Sequence, residues 1–258
     1  MKILQCCALS AITHILLASA VLGIGATGAL AQDKGYEPPG CSLSPSVVNL
    51  VLGQLNSVVQ LNNGGLFSAN RMWAAVVDRE GVLCGVTRSS PDAWPGSRDI
   101  AIAKASTAND FSNNLDAIST ANLYGPTQPG GSLYGLNNSN PFNPVFNEQG
   151  TGIGFAVGGI ITFGGGVALY SNGQVIGGLG VSGDTSCADH AVAYRMRAQA
   201  HLNSIPGGFG SGPGGVGSGD NIVYYTGAGS GGVITSPDQV NPSQFAQPHC
   251  LGAADVTP

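Results

Sequence analysis

The chain has little charge: of 258 residues, 9 are Lys or Arg and 14 are Asp or Glu. Nonspecific nucleic-acid binding requires Lys and Arg to neutralise phosphates, and docking on anionic lipid requires the same, so neither partner fits. No Cys-x-x-Cys pair occurs, which removes the usual zinc spacing, and no Cys-x-x-Cys-His occurs for covalent haem attachment. A nucleophile paired with a base is also missing. Ser182 lies in Gly180-Val181-Ser182-Gly183-Asp184, one glycine short of a nucleophile elbow, and Asp189 and His190 are chain neighbours whose side chains diverge on a helix. Enzyme chemistry of that kind is therefore not expected. There is no internal repeat.

The N-terminus reads as a signal peptide over residues 1–31. Lys2 gives a positive start, Ala8 to Leu22 an apolar core, and Ala29-Leu30-Ala31 a small-x-small cleavage site. Without Lys2 the balance is 8 − 14 = −6, mildly acidic. Beyond residue 31 no apolar run is long and unbroken enough to span a bilayer. Export to the periplasm or the extracellular space is expected, with no membrane attachment after cleavage. Four cysteines remain, Cys41, Cys84, Cys187 and Cys250, and an even number in an exported chain implies disulfides. Three connectivities are open; the expected one is a terminal clasp, Cys41–Cys250, with Cys84–Cys187 inside it.

The clearest local signal is Ser171-Asn172-Gly173 between two β-branched runs, a hairpin whose second arm is Gln174 to Val181. Gly177, Gly178 and Gly180 leave that arm bare, so another backbone or a flat ligand can approach it. Ser182 and Asp184 are expected to cap the helix that follows. Earlier, Ser44 can cap a helix with Pro45 at its first position, and Val47, Leu50, Val51, Leu55, Val58 and Val59 form its apolar stripe. Met72–Val77 and Val82–Val86 read as a strand pair across Asp78–Gly81. Ser97 can cap an alanine-rich helix running to Phe111. Residues 123–155 dissolve into Gly, Pro and Asn and are too long for an ordinary connection, so they read as a functional lid or as an insertion used in assembly, pinned by Tyr124, Tyr134, Phe142 and Phe146. Residues 204–258 form a glycine-rich extension, with Ile222–Tyr225 as a short strand within it.

Several constellations are open to two readings. Gly178-Leu179-Gly180-Val181-Ser182-Gly183 matches G-x-G-x-x-G, yet it follows a hairpin arm and lacks an acid about twenty residues on, so close backbone packing is the better account. His190, Tyr194, Arg197 and His201 share one helical face, offering an axial ligand and polar contacts, or simply a solvated surface. His190 and His201 stand about 16 Å apart along a helix and cannot share a metal. Lys104 and Thr107 are the polar groups of the alanine-rich helix, whose small face can lie against a sheet or a flat ligand. Arg88 and Arg98 flank the loop before it and can meet an anion, or serve as surface charges.

Three segments together resemble the GlcG/HbpS-like haem-binding family. They are Ala75-Val76-Val77-Asp78-Arg79-Glu80-Gly81 with Arg88; Ala101 to Ala108 with Lys104 and Thr107; and Gly158-Gly159 through Gly183 with Asp189 and Ala193. The resemblance covers most of residues 44–203 and implies an α/β (α+β) fold, an antiparallel sheet flanked by helices, somewhat profilin- or PAS-like, usually oligomeric. It implies noncovalent binding of haem b, or a similar small planar ligand, for sensing, storage or protection. Family haem sites lie by the helix that maps here to Lys104 and Thr107. With residues 32–203 as the family-like domain, Lys104, Thr107, His190, Tyr194 and Arg88 are the expected cofactor contacts. The ligand is expected in a slot between the Lys104 helix and the sheet. The alternative is an assembly protein, in which insertion and extension bury contacts of a homo-oligomer without ligand.

Overall fold

A computed structural model describes residues 40–67, 71–142, 152–206, 220–222 and 224. Its centre is a four-stranded antiparallel sheet of order β2-β1-β4-β3, from β1 (Trp73–Asp78), β2 (Leu83–Arg88), β3 (Gly166–Ser171) and β4 (Gln174–Ser182). Asn172 and Gly173 join β3 to β4 with φ of 51° and 77°, as the Asn-Gly pair requires for a tight hairpin. Every residue of β1 is buried, because successive side chains enter two different cores. Ala74 and Val76 face α1 (Pro45–Leu52), α2 (Leu55–Val58) and α5 (Ser186–Gln199), together with Leu179 and Val181. Trp73, Ala75 and Val77 face α3 (Ser97–Asp110) with Ala101, Ile102 and Ala105. The protein is α+β, with helices on both faces of one antiparallel sheet.

Ser44 caps α1 as its side chain implies, accepting from the Val47 N–H, and the expected single helix breaks at Gly53 into α1 and α2. Ser97 opens α3 as its first residue, with Gly96 as the cap. The cap of α5 is Thr185, which accepts from the Ala188 N–H; Asp184 instead accepts from the N–H groups of Leu66 and Phe67. Of the insertion, a one-turn helix, α4 (Tyr124–Thr127), and a 3-10 turn at Leu136–Asn138 are seen, while residues 143–151, including Phe146, lie outside the described residues. Val223 and Tyr225 of the expected strand in the extension also lie outside them.

The cysteine pairing differs from expectation: Cys41 is bonded to Cys84. The sheet register explains it. Val76 pairs with Gly85 but Val77 pairs with Leu83, so Cys84 is the extra residue of a β-bulge. Ser42 donates its N–H to Asp78 at the end of β1 (2.7 Å), which brings Cys41 beside that bulge. Asp78 lies within 4.8 Å of both sulfurs, but sulfurs bonded to each other are not a metal-ligand set. Cys187 is disulfide-bonded as well, and Cys250 lies outside the described residues.

The glycines of β4 do allow a close approach, and it is that of α3. A Cβ on Gly180 would sit 2.0 Å from the Ala101 carbonyl oxygen, and one on Gly178 would sit 2.1 Å from that of Ala105. Helix and strand are in backbone contact. Gly180→Ala should therefore cost about 1–3 kcal/mol by forcing them apart, read as a lower denaturant midpoint; an unchanged midpoint would show that the contact is loose.

Candidate functional site

The closeness of α3 to β4 overturns the expected slot: nothing planar fits between the Lys104 helix and the sheet. Lys104 is fully buried and crosses to the start of α5, donating to Asp189 at 2.7 Å and to the Val181 carbonyl at 3.0 Å. Its ammonium also stands 4.7 Å from the centre of the Phe163 ring. Burial pushes the Lys104 ammonium down and the Asp189 carboxyl up to about 6, each opposed by the charge of the other. Asp189 takes a further N–H from Asp184 at 2.9 Å. This ion pair ties α3 to α5 at the end of β4.

Thr107 looks elsewhere. Its hydroxyl donates to the Ala103 carbonyl (2.7 Å) and accepts the Ile161 N–H (3.0 Å), fastening the segment Gly158–Ile161 along α3. Gly158 and Gly159 both take left-handed backbone angles, φ 66° and 85°, which bring this segment close without side chains in the way. The segment rests directly on Ala103, and the ring of Phe142 packs against both to form a small apolar cradle on the outer face of the helix. A Cβ on Gly159 would fall 2.8 Å from Phe142 Cδ2 and 2.9 Å from Ala103 Cβ. Thr127 and Thr162 hydroxyls meet at 2.9 Å, and Thr162 donates to Asn137 at 3.2 Å, anchoring the insertion that delivers Phe142. Next to the cradle opens a groove of about 370 Å³ lined by Glu80, Ser106, Asp110, Asn140, Pro141 and Val157, among others.

The His190 face of α5 is a buried one, not a solvated surface. His190 and Arg197 have no exposed area, and the imidazole lies against the Asp220 backbone. Burial, then the charges of Arg197 and Lys104, push His190 down to about 3. Tyr194 lies 6.2 Å from it, ring to ring, with the Arg197 guanidinium 4.8 Å over the tyrosine. Arg197 donates to the Ala168 carbonyl (3.1 Å) and pairs with Asp220, which comes from the C-terminal extension. Only His201 of that face is exposed. Arg88 ends β2 and covers the Trp73 ring at 5.6 Å, while Arg98 is buried beside Asp99.

Of the expected contacts, then, Lys104, His190 and Tyr194 gather about α5, Thr107 faces the cradle, and Arg88 stands apart from both. Sequence reasoning missed Ala103, Gly159 and Phe142 as a unit. The Gly158-Gly159 doublet was its visible trace, since two consecutive left-handed glycines beside an alanine-rich helix mark a close approach.

Fold and cradle define a class: an α+β protein whose sheet is pressed against a small-residue helix, with a glycine-lined segment and an aromatic ring packed on that helix's other side. The sequence profile described as "Haem degrading protein HbpS-like" matches residues 67–198. The chain belongs to this HbpS-like family. It is 36% identical over 119 residues to an uncharacterized 15.0 kDa protein from the dhaT-dhaS intergenic region of Citrobacter freundii, covering 46% of this chain and 68% of that protein. It is 34% identical over 124 residues to the corrinoid adenosyltransferase PduO of the same organism, again 46% of this chain but only 30% of PduO's length. Among solved structures, a PduOC:heme complex is 28% identical, with 63% of this chain and 98% of that one covered at a TM-score of 0.47. No helix among the described residues is long and apolar enough to cross a membrane.

Proposed function

We propose that this protein binds a planar macrocycle of the haem type, noncovalently, on the cradle of Ala103, Val157 and Gly159 that Phe142 covers at the outer face of α3. One observation carries the reading: the missing Cβ of Gly159 leaves a bare apolar patch beside Ala103, against which the flat ring of Phe142 packs. Membership of a family described by haem degradation supports the choice of ligand. Ala103, Val157 and Gly159 would hold the face of the macrocycle, and Ser106 and Asn140 would meet its edge. Haem would bring a redox-active iron to this recess.

Phe142 has to leave for the ligand to enter. Half-burying a phenylalanine is worth about 1–1.5 kcal/mol, so Phe142→Ala should bind hemin roughly tenfold more tightly than the unaltered chain. A Soret titration measures this. Ala103→Leu, which fills the recess, should abolish the spectral change. Hemin that leaves the spectra of both the unaltered chain and the Phe142 variant unchanged would end the proposal.

We also propose export, supported by the Lys2 to Ala31 leader pattern and by the Cys41–Cys84 disulfide, a bond that persists in oxidising compartments. A homo-oligomer is the second reading, favoured by the exposed group of Leu66, Phe67 and Trp94. Size-exclusion of a Phe67→Ser/Trp94→Ser double variant tests it: dissociation supports that surface as the contact, and an unaltered elution volume rejects it.

A further inference from the structure

The face of α5 away from the cradle holds a carboxylate that comes from outside the family-matched stretch. That stretch is residues 67–198, so Arg197 lies within it and Asp220 beyond its end. Both side chains are nonetheless fully buried and form an ion pair. The guanidinium is held from within the domain: it donates to the Ala168 carbonyl of β3 at 3.1 Å and stands 4.8 Å over the Tyr194 ring. To this fixed fork the extension adds a carboxylate.

His190 meets the same residue. It lies seven positions before Arg197, on the same side of α5. The Asp220 backbone favours the protonated imidazole, as an acceptor does and an N–H would not, so it is the Asp220 carbonyl that faces the ring. The segment is gripped further on as well. The Ser119 hydroxyl donates to the Asn221 carbonyl at 3.3 Å, and Ile222 enters an apolar cluster with Ala121 and Cys187. Asp220 is thus held at both of its polar ends, the carboxylate by Arg197 and the carbonyl by His190, in the manner of a ligand.

We infer that Arg197, His190 and Tyr194 form a second binding site, for a small carboxylate with another acceptor two carbons away, and that Asp220 occupies it as a built-in ligand. In aspartate two carbons separate the side-chain carboxyl carbon from the backbone carbonyl carbon. Succinate has the same spacing and is the simplest molecule of this class. One of its ends takes the place of the side chain on Arg197, as a charge-assisted pair. The other takes the place of the carbonyl at His190. The site is distinct from the Phe142 cradle and does not rest on the macrocycle reading.

Asp220→Ala in the full chain vacates the site, and calorimetric titration with succinate, acetate and chloride at matched ionic strength tests it. Succinate is expected to bind this variant roughly tenfold more tightly than acetate, since it makes one more hydrogen bond to a charged group. Chloride should give no binding, and the unaltered chain should bind succinate at least about tenfold more weakly than the variant, because Asp220 competes. Adding His190→Leu to Asp220→Ala should keep acetate binding and cancel the advantage of succinate, a result that a merely structural ion pair does not produce. If Asp220→Ala does not stay folded alone, its refolding yield in succinate against chloride is the readout, and succinate should raise it by binding the folded form. The inference is overturned if succinate neither binds Asp220→Ala nor assists its refolding, if it does so no better than acetate, or if the unaltered chain binds it equally well.

Discussion

Lys104→Met should destabilise the protein by about 3–5 kcal/mol at neutral pH, because it leaves the Asp189 carboxylate buried without its partner. Lys104 is the leading influence holding Asp189 down against burial, and even so the carboxyl is pushed up to about 6. Without the ammonium it must rise further. A carboxyl whose folded-state value lies above its unfolded value of 3.8 favours folding in its protonated form, and that contribution is lost as pH rises through the folded value. The variant should therefore recover stability as pH falls from neutral toward about 4, the reverse of ordinary acid lability. Adding Asp189→Asn should restore most of the loss at neutral pH, since a neutral amide needs no counter-charge and its oxygen still accepts the Asp184 N–H. Chemical denaturation of the three proteins at neutral and at mildly acid pH measures both effects. An unchanged midpoint for Lys104→Met would mean that the pair is solvated and that the lysine is free to meet a ligand after all. The hemin affinity of whatever fraction stays folded should be unaffected, which separates a pin from a contact.

The hairpin and its turn were legible because Asn172-Gly173 and the alternation around them leave few options. The strand pair, the alanine-rich helix and its approach to bare β4 were legible for similar local reasons. The side of α3 on which a ligand would lie was not. Ala101, Ala105 and Ala108 recur at i, i+4 and i+7 on the face that meets the sheet and Ala103 stands opposite, so both faces carry small groups; backbone contact at Gly178 and Gly180 shows that the first is closed to a ligand. The disulfide depended on a bulge that places Cys84 out of register, a property of pairing between strands. The polar face of α5 looked solvated because the partner of Arg197 is Asp220, 23 residues further on, in a stretch that reads as a plain extension. Lys104 and Thr107, three residues apart, looked like one site. They diverge because one reaches past the end of β4 to α5 while the other holds Gly159 and Ile161.

His190→Leu should differ little in stability from the unaltered chain at neutral pH, because it trades a buried neutral imidazole, whose polar contact is with the Asp220 backbone, for an apolar side chain of similar size. The larger effect comes with acid. Burial first, then Arg197 and Lys104, hold the folded imidazole at about 3 against an ordinary value of 6.5. Unfolded chains take up a proton from near 6.5 downward while the folded one refuses it. The stability contributed by the neutral ring is thus complete above 6.5 and is lost progressively as pH falls toward about 3. Asp189 works in the opposite sense between about 6 and 3.8, where the folded state is the one that binds the proton, so the acid response of the unaltered protein is shallow. Comparing it with His190→Leu cancels the Asp189 effect and isolates the imidazole. The variant's advantage should widen by about 1.4 kcal/mol per pH unit below 6.5, reaching roughly 2.7 kcal/mol more at about pH 4.5 than at neutrality. Denaturant midpoints of the two proteins across that range check it. A constant difference would mean that the ring is reached by water in the folded state. It would then be open to a ligand as well, and the α5 face rather than the Phe142 cradle would be where an axial contact should be sought.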